Sequence, residues 1–160
     1  MPRGARILLE NTCYHILNRG NQKQHIFIEK DDYQRYLDIL KHYKKILYFK
    51  IFGYCLMPNH IHLIIKPKNP QELASIMQRQ TQVYTLWFNK KYKKVGHLWQ
   101  GRFKNMLINI DRYFMDCIYY VEANPVRAKL TNSPADYQWS SYKSRVFGNK
   151  DGLLDIPDST

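Results

Sequence analysis

His60 and His62 stand one residue apart in the stretch Gly-Tyr-Cys-Leu-Met-Pro-Asn-His-Ile-His-Leu-Ile-Ile-Lys (53–66), and by type and spacing they are well suited to do chemistry. Alternate side chains of a β-strand share a face, so the two imidazoles project together while Ile61, Leu63 and Ile65 fill the opposite side. A second stretch, Tyr-Tyr-Val-Glu-Ala-Asn-Pro (119–125), reads as the end of a helix with Tyr120 and Asn124 at i and i+4 on one face. Two imidazoles, an amide oxygen and a phenol suit metal-assisted phosphoryl transfer. A His-x-His pair is equally at home as solvated or hydrogen-bonded side chains on a half-exposed sheet. The second stretch is what favours the ligand reading.

These groups need elements to hold them. Cys13 to Arg19 alternates weakly and ends at Gly20-Asn21, predicting a strand and turn with Asn18, Arg19 and Asn21 as candidate phosphate contacts. From Asp31 or Asp32 to about Leu47, Tyr33, Tyr36, Leu37, Leu40, Tyr43 and Leu47 follow helical spacing. Tyr48 to Leu56 predicts a strand paired with the His60 strand through the turn Met57-Pro58-Asn59. Asn69-Pro70-Gln71-Glu72 opens a second helix running to about Asn89, its packed face Leu73, Ile76, Met77, Gln80, Tyr84 and Trp87. Phe103 to Ile108 is a further strand. Asp111 caps a third helix that ends near Asn124, because a residue before proline resists the α conformation. Trp139 to Tyr142 is aromatic enough to dock back on the domain, whereas Asp151 to Thr160 reads as a frayed end. The division expected is a core over residues 1–130 and a docking extension over 131–160.

Bulk properties bound the partner. The 160 residues fit one domain, and 44% hydrophobic content agrees with a globular core. Lys and Arg number 25 against 13 acids, a formal charge of +12, which favours a polyanion. Aromatic residues make up 14% of the chain, including 13 tyrosines, so flat rings that stack on unpaired bases are interleaved with cations. No apolar run is long enough for a membrane span or signal segment, and no membrane partner is expected. Cys13, Cys55 and Cys117 have neither disulfide nor zinc spacing and suit a reducing cytoplasm.

Between Leu73 and Ile110 there is no acid, while Arg79, Lys90, Lys91, Lys93, Lys94, Arg102 and Lys104 are present; a lysine cluster is often only a solvated loop, but with the overall charge this is the candidate electrostatic footprint for a nucleic acid. Within it, Gly96-His97-Leu98-Trp99-Gln100-Gly101-Arg102-Phe103 has the composition of a loop that touches bases and phosphates, through Trp99, Gln100 and Arg102 above all. Arg19 and Arg127 are further candidate nucleic-acid contacts.

With these pieces placed, the chain resembles the HUH transposases that use a single tyrosine, and within them the REP-associated tyrosine transposases. The likeness is carried by Tyr-Cys-Leu-Met-Pro-Asn-His-Ile-His-Leu (54–63), His-Leu-Trp-Gln-Gly-Arg-Phe (97–103) and Tyr-Val-Glu-Ala-Asn-Pro-Val-Arg-Ala (120–128), and it runs from about Leu8 to Phe147. The resemblance implies an α+β fold, an RRM-like or ferredoxin-like sandwich with helices packed on an antiparallel sheet. It also implies that His60, His62 and Asn124 hold a divalent metal, Mg2+ or Mn2+, and that Tyr120 is the nucleophile. Lys129 departs from the glycine that relatives often carry, which bears on the local turn.

The activity so implied is that of a DNA transposase: a single-strand endonuclease and strand transferase working through a 5'-phosphotyrosine on hairpin-forming single-stranded DNA. A free phenol titrates at about 10, so at neutral pH it needs a polarised phosphate to attack. Tyr119 is the rival nucleophile, with Glu122 at i+3 as a rival ligand on another side of the helix. The alternative function is a non-catalytic single-stranded nucleic-acid-binding protein of the same fold. A homodimer and a monomer both fit, with Tyr120 serving its own histidines or a neighbour's.

Overall fold

The computed structural model describes residues 12–108, 113–148 and 152–157. Its elements are β1 (Cys13–Arg19), α1 (Lys30–Leu47), β2 (Lys50–Met57), β3 (His60–Lys66), α2 (Leu73–Tyr92), β4 (Lys104–Ile108), α3 (Phe114–Glu122), α4 (Asn124–Arg127) and α5 (Tyr142–Phe147). The four strands form one antiparallel sheet in the order β2-β3-β1-β4. With α1 and α2 as the crossovers, this is the ferredoxin-like β-α-β-β-α-β sandwich. The basic arm at Met1 to Glu10 and the capping Asp111 lie outside the described residues.

Strand alternation divides the interior in two. Tyr14, Ile16, Ile51, Tyr54, Leu56, Ile61, Leu63 and Ile65 point to one face and pack with α1 and α2. Cys13, Cys55, Met57 and Ile64 point to the other, against Phe114, Ile118 and Val121 of α3. His60, His62 and His15 have the strand parity of the second set, so the α3 side is where a site can form. Gly53 leaves room for the Ile64 side chain on this face: a Cβ there would sit 3.3 Å from Ile64 Cδ1 and in ordinary contact, at 3.7 Å, with Ile118 Cγ1 of α3. Ile118 and Val121 are fully buried, and each such side chain contributes about 1.5–3 kcal/mol to holding the helix on the sheet.

The other layer is tied together by Asp32. Its buried carboxylate accepts from the Ile28 and Glu29 amides, capping α1, and from Lys91 Nζ and Tyr92 Oη at the far end of α2. Burial alone would raise its pKa, but these donors outweigh it and the group titrates below its ordinary value. In α2 the expected face is buried up to Tyr84, then continues with Phe88 in place of Trp87. Phe88 lies four residues on from Tyr84, whereas the half-exposed Trp87 ring is covered by Arg35 and Lys91. Pro70–Glu72 is a 3-10 turn leading into α2 instead of its first turn, and α2 runs on to Tyr92, past the expected Asn89.

Two corrections concern the third helix and the chain end. Helix α3 stops at Glu122, not Asn124, because Pro125 has no N–H to give the Val121 carbonyl. The Asn124 side chain donates to that carbonyl instead, Nδ2 to O at 3.0 Å, and Asn124 opens the separate turn α4. Leu153 and Asp155, in the stretch expected to fray, are held: Leu153 is buried, and Asp155 pairs with Lys44 and accepts from the Ile51 amide. Ahead of them, Trp139 to Ser141 runs along the open edge of β2. Leu56 N donates to Trp139 O and Ser141 N to Tyr54 O, which closes an edge that would otherwise expose unpaired backbone.

Candidate active site

The two-residue turn Pro58-Asn59 fixes where β3 begins, with Met57 opposite His60. The tip is held from outside, since Ile26 N and Phe27 N donate to Pro58 O and Gly20 N donates to Asn59 O. His60 and His62 then emerge on the α3 face with ring centroids 5.0 Å apart. His60 Nδ1 is 2.7 Å from Asn59 Oδ1, an acceptor, so Nδ1 carries the proton and the Nε2 lone pair is left for a ligand. Burial, with the Arg19 charge, brings the His60 imidazole down to about 4. Burial brings His62 down to about 3, helped by His15, His60, Arg19 and Arg127. Both rings are therefore neutral at physiological pH, the form that binds a metal.

His15, on β1, was missed by sequence reasoning. Its Nε2 lies 2.9 Å from His62 Nδ1, the rings stack at 5.1 Å, and burial lowers its pKa. The contact engages His62 Nδ1, so Nε2 is the ring nitrogen outside it. Beyond His15 comes Tyr120, edge-on to the His15 ring at 6.4 Å. Four rings thus run in a row, Tyr120, His15, His62 and His60. The Arg127 guanidinium lies 3.9 Å over the Tyr120 ring, and its Nη2 donates to Tyr120 O at 2.6 Å and to Asn124 Oδ1 at 2.8 Å. The Asn124 amide is thereby oriented by two bonds.

The rival pair separates from this row. Tyr119 has Arg145 over its ring at 5.1 Å, and Glu122 is buried between Arg145, with Nε 3.0 Å away, and Ser141 Oγ at 2.6 Å. Glu122 is a structural staple here. The thiols of Cys13 and Cys117 are pushed up to about 11 by burial and that of Cys55 further still, as inert core cysteines require. Among the described residues no cluster of three or more His, Cys, Asp or Glu could hold a metal. A cation here would rest on His60 and His62 with oxygen donors completing its shell: both imidazoles are neutral, His60 has its Nε2 lone pair free, and His62 does when its Nδ1 is the donor to His15.

The expected DNA contacts scatter. Arg19, Gln100, Arg102 and Lys104 surround one small cavity of about 100 Å³ on the site side of the sheet, where Leu17 pairs with Lys104. Arg79, Lys90, Lys93 and Lys94 belong to α2 or its end, on the opposite layer, and Arg79 donates to Ser75 Oγ. The Lys91 ammonium is committed to Glu29 and Asp32, which hold its pKa above the ordinary lysine value against the opposing effect of burial. Trp99 is partly buried: its ring packs beside Tyr36 and Tyr84, and Nε1 donates to Thr85 Oγ1. Asn18 is buried rather than presented to phosphate.

Comparison with known proteins agrees with this architecture. The family model for IS200-like transposases matches residues 9–124. A protein of Haemophilus influenzae described as a REP-associated tyrosine transposase is 30% identical over 109 residues, covering 61% of each chain. The match thus spans about three fifths of that relative's length. The structure of a REP-associated tyrosine transposase bound to a REP hairpin superposes with a TM-score of 0.76 at 18% identity, covering 100% of this chain and 92% of that one. No helix among the described residues is long and apolar enough to cross a membrane.

Proposed function

The chain belongs to the IS200-like transposase family, and on that footing we propose that it is a divalent-metal-dependent single-strand DNA endonuclease and strand transferase with Tyr120 as nucleophile. The observation that carries the reading is the row of rings. Tyr120 packs on His15, which is hydrogen-bonded to His62, so phenol and imidazole pair lie on one side of one sheet in a single chain. That supports a site assembled in cis.

His60 and His62 would hold the cation through Nε2, and the Asn124 oxygen, which accepts from Arg127 in the absence of a cation, would turn a lone pair to it as a third donor. Bound there, Mn2+ or Mg2+ supplies neutralisation of charge on the scissile phosphate. The phenolic oxygen of Tyr120 forms a new bond to phosphorus, and the bond from phosphorus to the upstream 3'-oxygen breaks. The phenol loses its proton and the 3'-oxygen gains one. The products are a 5'-phosphotyrosine and a free 3'-hydroxyl, so the phosphodiester energy is kept for rejoining by another 3'-hydroxyl. Arg127, over the Tyr120 ring, fixes its orientation and adds positive charge beside the incoming phosphate.

The relative solved with a REP hairpin supports hairpin-bearing single-stranded DNA as the substrate. The competing reading, a binding module without chemistry, draws on Asn124, whose oxygen already accepts from Arg127. Labelled hairpin DNA incubated with Mn2+ separates the two. Wild type and Tyr119→Phe should form a covalent adduct that survives denaturation, and Tyr120→Phe should not. Adduct on Tyr120→Phe, or none on wild type, rejects the assignment.

A further inference from the structure

Among the described residues no carboxylate stands within ion-pair distance of Arg127, whereas Lys44, Lys91 and Arg145 each face one. Its guanidinium instead spans three parts of the candidate site. Nη2 donates to the Tyr120 carbonyl at 2.6 Å and to Asn124 Oδ1 at 2.8 Å, and Cζ stands 3.9 Å from the centre of the Tyr120 ring. A guanidinium held by neutral groups alone keeps its charge for an anion, and a phosphate can accept two parallel N–H bonds from it.

One of those neutral groups, the Asn124 oxygen, is also the third donor proposed for the cation. The amide is tied on its other side, Nδ2 donating to the Val121 carbonyl at 3.0 Å, which limits how far it can swing from Arg127. A cation drawing on that oxygen therefore stands close to a guanidinium bonded to the same atom, and the two like charges repel. The Arg127 charge also reaches His62, where it opposes added positive charge. A phosphate reverses the balance. It accepts from the guanidinium and lies against the cation, so that both positive groups share one anion.

We infer that Arg127 couples the cation to the DNA: its guanidinium competes with the cation for the Asn124 oxygen until a substrate phosphate draws it away, so cation and DNA each strengthen the binding of the other. The inference rests on the cation site proposed above. Such coupling is reciprocal, because the factor by which DNA tightens the cation equals the factor by which the cation tightens DNA. A residue that merely braced Asn124 for the cation would give the opposite sign on removal, and the test reads that sign.

The test uses Tyr120→Phe protein, which keeps the ring under Arg127 and leaves DNA uncut. Without DNA, adding Arg127→Met should tighten Mn2+ about fivefold in an electron paramagnetic resonance titration, and Arg127→Gln should act in the same direction. With Asn124→Ala also present that gain should shrink, since the shared acceptor is gone. Saturating Mn2+ should tighten a labelled single-stranded hairpin oligonucleotide roughly tenfold by fluorescence anisotropy, and Arg127→Met should remove most of that effect. Weaker Mn2+ binding in Arg127→Met without DNA, or a Mn2+ effect on DNA affinity that this variant leaves unchanged, would overturn the coupling. The two readings fail separately. Mn2+ affinity that His60→Ala does not alter removes the cation site and the coupling with it, whereas affinity lost in His60→Ala and lowered by Arg127→Met removes the coupling alone.

Discussion

His15 Nε2 lies 2.9 Å from His62 Nδ1, across two neighbouring strands and 47 residues of sequence. The contact settles which nitrogen of His62 faces outward and holds the ring in place, as a hydrogen-bonded partner commonly does for a metal-binding imidazole. His15 also carries the Tyr120 ring on its other side, so a single side chain spaces the phenol from the histidine pair.

Removing that support should loosen the cation without unfolding the chain. His15→Ala is expected to weaken Mn2+ binding roughly 10- to 100-fold, read by electron paramagnetic resonance titration, with His15→Gln recovering part of the loss. Unchanged affinity in His15→Ala would show that the bond orients nothing.

Acid should destabilise the metal-free protein earlier than a carboxylate-driven transition would. The unfolded histidines titrate at about 6.5, whereas His60 and His62 in the fold titrate at about 4 and about 3 and His15 is also lowered. Below the unfolded value the unfolded chain takes up protons that the fold refuses, so stability is full above that value and falls as pH drops toward 4. Urea midpoints in EDTA should decline between pH 7 and 5, and the decline should be shallower in His15→Gln/His62→Gln. A flat profile over that window contradicts the buried neutral histidines.

Arg145 and Glu122 fasten α5 to the helix that carries Tyr120. Arg145→Met leaves the Glu122 carboxylate buried with only Ser141 Oγ, and should cost about 3 kcal/mol in urea unfolding. Glu122→Gln in the same chain should restore most of it, because the uncompensated charge is gone. Equal stability of the single variant and wild type would mean that the pair contributes nothing.

Lys129 sits at φ +61°, just past α4, where a side chain is crowded and glycine is not. Lys129→Gly should raise stability by about 1 kcal/mol, with an unchanged urea slope and unchanged DNA binding. A loss of stability would point to contacts of the lysine stem that outweigh its backbone strain.

Much of this protein is written in short-range pattern. Strand parity put His60 and His62 on one face, helical spacing found α1, α2 and α3, and the turn Met57-Pro58-Asn59 set the hairpin, because all three depend only on neighbours in the chain. The motifs around 54–63 and 120–128 likewise carried the family. Contacts between distant residues were not legible. Nothing near His15 marks it as the partner of His62, and nothing near Lys91 says that its charge closes on Asp32 instead of facing DNA. Trp99 was read as a base contact from composition, and nothing near it in sequence says that its ring packs beside Tyr36 and Tyr84. Tyr119 and Tyr120 are adjacent phenols in sequence, and only the docking of α3, with Ile118 and Val121 buried against the sheet, turned one toward Arg145 and the other toward His15. Local sequence decides which faces exist; which face meets which is decided by the burial of apolar surface across the whole chain.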